Sequence, residues 1–224
     1  SEALKMPMEV VDAQNGRIRL APPRHIYLEI CGETRMREGS QKSGDSFESL
    51  YLDSGHYLLA ISDGMGSGAR AAEDSRAALS MLRALFSAGF DAETAVGLVN
   101  SVLVLKSAEE TFATLDLLLV NTRSLETEFM KAGAAASFIR HGKTVRTFAA
   151  GSLPAGLLSK PDLASLHAKL SPGDMIVMLS DGALDPALRA EDGAWVSEAI
   201  ANYEGDDPSA LMQMKRAADT CATI

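Results

Sequence analysis

The chain has 224 residues, 46% of them hydrophobic, which is enough for one compact domain with a substantial core. Its net charge of −9 opposes long-range attraction to nucleic acid or to an anionic membrane, so neither is expected as a partner, and any phosphate it handles needs local positive charge. No run approaches the roughly 18 consecutive apolar residues of a membrane span, no signal-peptide pattern opens the chain, and Cys31 and Cys221 are too few and too scattered for a disulfide framework or zinc site.

These features suit a soluble protein of the reducing cytosol, and Ser1 in place of an initiator Met reads as an edge within a longer parent. Residues 26–31 read as a strand, and the polar, glycine-containing run 33–44 as a mobile loop. Two apolar segments, 47–52 and 57–61, flank Asp53-Ser54-Gly55 and predict strand, turn, strand. Ala71, Ala72, Leu79, Leu82, Leu85 and Phe86 recur near helical spacing over 69–86, and Gly89 ends the pattern. Asp91 is a good N-cap for a second helix through Ala95, Val96, Leu98, Val99, Val102 and Leu103. Strands are expected at 115–120, 128–132, 137–140 and 143–148, with His141-Gly142 as a turn, and a buried strand at 175–180. Between them, the segment 151–174 with Pro154, Pro161 and Pro172 reads as a long surface loop. Helices at 193–202 and 208–221 close the chain, the second entered through Asp207 and Pro208. Strands, two helices, strands and helices again do not alternate as a doubly wound parallel sheet does, which favours a layered α+β fold in a single domain.

Two segments repeat one message. Leu58-Leu59-Ala60-Ile61-Ser62-Asp63-Gly64 and Ile176-Val177-Met178-Leu179-Ser180-Asp181-Gly182 are each an apolar strand ending in Ser-Asp-Gly. A carboxylate at the mouth of a buried strand is poorly solvated and needs a cation. Neither segment has Lys or Arg beside it, so a bound metal is a candidate, and the glycine after each Asp lets a backbone carbonyl turn toward the same ion. Ser43-Gly44-Asp45-Ser46 adds a third carboxylate just before a strand. Three Asp and one carbonyl make an oxygen-only donor set, suited to magnesium or manganese rather than zinc. A lone Asp-Gly pair is most often a turn; matching positions at two strand ends make these more interesting, although spacing alone does not bring residues 45, 63 and 181 together.

Other features have plainer readings. Gly64-x-Gly66-x-Gly68 lacks the Lys-Ser/Thr of a phosphate-binding loop and fails the dinucleotide pattern at its third glycine. His25, His56, His141 and His167 are isolated and read as surface residues, Ser62 and Ser180 as supporting hydroxyls without a paired base, and Met175 and Met178 as core filling. Arg37 and Lys42, just before Asp45, read as solvated loop charges that an incoming phosphate could also meet.

Taken in order, Ser43-Gly44-Asp45-Ser46, the run from Ala60 through Ser62-Asp63-Gly64-Met65-Gly66-Ser67-Gly68 to Ala71, and Ser180-Asp181-Gly182 resemble the motif series of SpoIIE-type phosphatases, within the PPM (PP2C-like) class of metal-dependent protein serine/threonine phosphatases. Thr114-Leu115-Asp116-Leu117, Lys131-Ala132-Gly133, Ser137-Phe138-Ile139 and Leu153-Pro154-x-Gly156 extend the similarity over about residues 40–220. The resemblance implies a central antiparallel β-sandwich with helices on both outer faces, in α-β-β-α layers, and a site for two divalent ions, Mn2+ or Mg2+, at one edge of the sandwich. It gives Asp63 the role of bridging both metals, Gly64 that of offering its carbonyl, Asp181 that of a ligand to the first metal, and Asp45 that of serving the second; Asp63 and Asp181 are the catalytic pair.

It further implies, as substrate and partner, a phosphoserine-bearing anti-sigma-factor antagonist whose dephosphorylation activates a sporulation sigma factor. The domain would be cytoplasmic, on a parent attached to the membrane through an upstream region, and a homodimer is left open. One departure stands out. Family members carry a later Asp-Asp-x-Thr segment with a further ligand; Asp206-Asp207 precedes Pro208 and fits helix capping instead, so the chain reads as truncated before the final strand. A domain that docks partners without turnover is the rival reading, and a two-metal nuclease a second one that the acidic charge disfavours.

Overall fold

A computed structural model describes residues 8–14, 16–21, 26, 28–34, 43–64, 69–106, 112–183, 194–205 and 207. In chain order it contains β1 (Glu9–Gln14), β2 (Arg17–Ala21), β3 (Asp45–Tyr51), β4 (His56–Asp63), α1 (Ala69–Ser87), α2 (Ala92–Lys106), β5 (Leu115–Asn121), β6 (Glu126–Ala132), β7 (Ser137–His141), β8 (Thr144–Phe148), β9 (Ala164–Lys169), β10 (Met175–Val177) and α3 (Ala194–Asn202). All pairings are antiparallel: a five-stranded sheet ordered β3-β4-β5-β6-β9, a three-stranded sheet ordered β10-β7-β8, and the separate hairpin β1-β2.

The strand pleat sorts the apolar residues into three cores, one for each interface of a four-layer stack. On β4, Leu58 and Ala60 face α1 and α2, whereas Tyr57, Leu59 and Ile61 face the other sheet. On β5, Leu115, Leu117 and Leu119 face the helices, and Leu118 and Val120 face the sheet. Both faces of these central strands are covered, which is why they read as continuous apolar runs rather than alternating ones. Between the sheets, Phe129 and Phe148 stack with ring centroids 4.7 Å apart. The third core joins Phe138, Val177 and Leu179 to Val196, Ile200 and Tyr203 on and just after α3. Buried Arg140 donates to the carbonyls of Tyr203 and Gly205 at 2.6 and 2.9 Å, holding the segment just after α3 against β7. The order is thus α1/α2, five strands, three strands, α3, which is the α-β-β-α layering expected.

Local signals explain the boundaries. Gly55, Gly89 and Gly142 hold positive φ at the β3-β4 turn, after α1 and in the β7-β8 turn. Asp91 caps α2, its carboxylate accepting the Thr94 N–H at 2.9 Å and the Thr94 hydroxyl at 2.7 Å, and these bonds hold its carboxyl below the usual range. Three expectations need correction. Residues 26 and 28–31 are not in a strand; Ile26 and Leu28 lie against the core between the sheets without ladder partners. The strand expected over 175–180 ends at Val177, where its ladder with β7 ends, although Met178, Leu179 and Ser180 remain buried. The segment expected to be a 151–174 loop contains β9, which extends the large sheet beside β6. The hairpin β1-β2 stands outside the elements expected from the sequence. Arg37, Lys42, His25, residues 65–68, most of the run 33–44 and the helix expected at 208–221 fall outside the described residues.

Candidate functional site

Three candidate carboxylates arrive from both sheets at one edge of the sandwich. The β3-β4 register sets Asp45 directly opposite Asp63, the first residue of one strand against the last of the next. Asp181 opens a short 3-10 turn that follows the buried residues after β10. Burial first, then the Asp45 carboxyl and then that of Asp181, both in hydrogen-bonding contact with Asp63, push the Asp63 pKa up to about 8. Like charges directly opposite across an antiparallel pair are unfavourable. Without a cation the cluster therefore retains a proton. Among the described residues, no three His, Cys, Asp or Glu side chains stand as a ready ligand set around one point.

The surrounding backbone is closely specified. The Asp63 N–H donates to Thr114 Oγ1 at 3.0 Å, and the Thr114 N–H donates to the Asp63 carbonyl at 2.9 Å. Gly64 bridges to Ala113, and Ala113 to Ala155, so the segment carrying Asp63 and Gly64 is tied to the 150s loop. Ser180 Oγ donates to Asp45 Oδ2 at 3.0 Å, joining the two sheets at the site and giving that hydroxyl the supporting contact expected of it. Ser62 is fully buried, and its hydroxyl has no hydrogen-bond partner among the described residues. Gly44 leaves a cradle: a Cβ there would stand 3.1 Å from Asp63 Oδ1 and 3.4 Å from the Gly64 carbonyl oxygen. Gly64 itself packs so closely on α1 that a Cβ would overlap the carbonyl group of Ala71.

The structure thus brings together Asp45, Asp63 and Asp181, with Gly64 beside them. The other histidines stay apart from this edge: His56 bonds Ser54 at 3.1 Å, His141 bonds Asp174 at 2.6 Å and His167 lies by Ser165 at 3.3 Å. Gly44 and Thr114 carry no individual role legible in the sequence. Their contributions depend on strand register, and the only advance signal was their place within quoted motifs.

The model of the stage II sporulation protein E (SpoIIE) family matches residues 53–218. Over 177 residues the chain is 32% identical to the stage II sporulation protein E of Bacillus subtilis (strain 168), a match covering 79% of this chain and 21% of that protein. The chain therefore spans about a fifth of the length of that relative. Among solved structures, the PP2C phosphatase domain of B. subtilis SpoIIE with a fragment of its regulatory domain is 31% identical with a TM-score of 0.71, covering 78% of this chain and 52% of that one. RsbX in complex with magnesium shares the fold at 20% identity and a TM-score of 0.63, covering 82% of this chain and 83% of that one. The layered α+β fold is PP2C-like.

Proposed function

Since this chain belongs to the SpoIIE family, we propose that it is a metal-dependent protein serine/threonine phosphatase. Its substrate is a small phosphoprotein, an anti-sigma-factor antagonist bearing phosphoserine, and its dephosphorylation releases a sporulation sigma factor. The parent protein holds this domain on the cytoplasmic side of a membrane; among the described residues no helix is long and apolar enough to cross one. The observation that carries the reading is the convergence of Asp45, Asp63 and Asp181 from two sheets onto one edge.

The chemistry of the donors supports a site for two divalent ions. Burial and neighbouring carboxyls all act against ionisation of Asp63, a repulsion that a divalent cation relieves, and the donors are all oxygen. RsbX, which has the same fold, has been solved with magnesium. When bound, two such ions supply the positive charge that an acidic protein lacks, neutralising phosphoryl oxygens and acidifying water for in-line attack. Asp63 would bridge them, Asp181 and the Gly64 carbonyl would hold one, and Asp45 would serve the other. Ser180 orients Asp45 through its hydrogen bond, and the paired bonds with Thr114 fix the backbone that carries Asp63. Gly44 keeps the space above the Asp63 carboxylate and Gly64 carbonyl open. No covalent phosphoenzyme is required.

The test is release of phosphate from a phosphoserine protein in the presence of manganese. Asp63→Asn and Asp181→Asn should each lower kcat by at least about 100-fold, the scale of losing a charge-stabilising group in a preorganised site. Wild-type turnover insensitive to both substitutions would refute the assignment, and stable phosphoprotein binding without turnover would favour a docking module.

A further inference from the structure

Lys131 and Asp116 form a buried ion pair that plays no part in the chemistry above. Their side chains are 0% and 2% exposed. Lys131 Nζ lies 2.7 Å from both Asp116 carboxylate oxygens, from the Ala135 carbonyl and from Ser137 Oγ, and the Ser137 hydroxyl donates to Asp116 at 3.0 Å. Burial pulls Lys131 below its usual range and raises Asp116, while their mutual attraction opposes both shifts. Such a pair is a poor source of stability, since well-packed apolar residues of similar volume often serve as well or better. Its placement suggests a different use.

Asp116 stands opposite Ile61 on β4, and Lys131 stands opposite Asp116 on β6. Continuing the β4-β5 register sets Thr114 opposite Asp63, so Asp116 is the diagonal neighbour of Asp63 on the face turned to the other sheet. Ser137 begins β7 in that other sheet, whose partner β10 leads within a few residues to Ser180 and Asp181. One ammonium group therefore ties the five-stranded sheet to the three-stranded sheet in the layer directly behind the carboxyl cluster.

We propose that Lys131, held by Asp116 and Ser137, is a positioning clamp that sets the gap between the two sheets at their acidic edge and so fixes the distance from Asp63 to Asp181. The working roles of Asp63 and Asp181 rest on the function proposed above, whereas the clamp concerns only how far apart they stand. Lys131→Met alone would strand a buried carboxylate, so both charges are removed together in Lys131→Met/Asp116→Leu. Ser137→Ala cuts only the side-chain link to the second sheet and keeps the test open should the double variant not fold.

Three measurements are made: urea unfolding, manganese binding by calorimetry, and crystal structures of the metal-free proteins. The double variant should unfold as cooperatively as the wild type, bind manganese more weakly by about 10-fold or more, as expected when groups that orient metal ligands are lost, and show a wider separation of the Asp63 and Asp181 carboxyls. Its kcat on the phosphoprotein should fall while KM holds, and Ser137→Ala should move in the same direction by less. A folded variant with the wild-type carboxyl separation overturns the clamp whatever its activity. Absence of manganese binding or turnover in the wild type overturns the proposed function instead, and the crystal structures still decide the clamp.

Discussion

Gly64 is the point where the acidic cluster meets the first helix. A Cβ at this position would lie 2.7 Å from the Ala71 carbonyl carbon, and the obstacle is helix backbone rather than a side chain that can swing away. Gly64→Ala should therefore displace the first turns of α1 or the carbonyl at 64, costing about 1–3 kcal/mol as overpacking does and weakening manganese binding; urea unfolding and calorimetric titration check both. Wild-type behaviour in both assays would mean that the strand end and the helix do not constrain each other. Asp63 and Asp181 were legible in the sequence as candidates, because each closes an apolar segment with Ser-Asp-Gly. The part played by Gly44 was not, because it depends on which atoms lie across the strand pair, and a glycine beside an aspartate looks the same in any turn. Thr114 was hidden for the same reason: its two bonds to Asp63 arise from a register between residues 51 positions apart.

At the scale of elements, the helices and central strands were readable because capping, glycine stops and apolar period agreed over many residues. The misses have particular causes. Asn15-Gly16 is a strong hairpin signal between β1 and β2, and Gly16 does hold positive φ, but the flanking strands carry mixed polar residues. In β9, Leu166 and Ala168 alternate with Ser165, His167 and Lys169, a short edge-strand pattern obscured by the prolines around it. The opposite difference lies at residues 26 and 28–31, where apolar content suggests a strand that has no neighbour to pair with among the described residues. Helix α2 offers a clean test of propensity: Gly97 sits inside it with nothing within 4 Å of a would-be Cβ. Gly97→Ala should stabilise the chain by about 0.5–1 kcal/mol, by removing backbone freedom from the unfolded state without meeting a neighbour, as read from the urea midpoint.

For the molecule as a whole, the carboxyl cluster makes stability depend on pH. Asp63 titrates near 3.8 ordinarily and near 8 in the fold, so between these values the folded chain keeps a proton that the unfolded chain has released. Its contribution is complete below the lower value and is lost as pH rises toward the upper one. In chelator-treated protein the melting temperature of the wild type relative to Asp63→Asn should fall as pH rises from 5 to 8, and a constant difference across that range would show that the proton is not held there. The hydrogen bond from Ser180 to Asp45 joins residues 135 positions apart. Neither half of the polypeptide can carry the acidic edge alone, and the entropy of closing so long a loop is met only when both sheets have docked. Separately produced fragments would keep Asp45 and Asp63 apart from Asp181 until they reassociated, which makes this edge a late-forming reporter of complete folding.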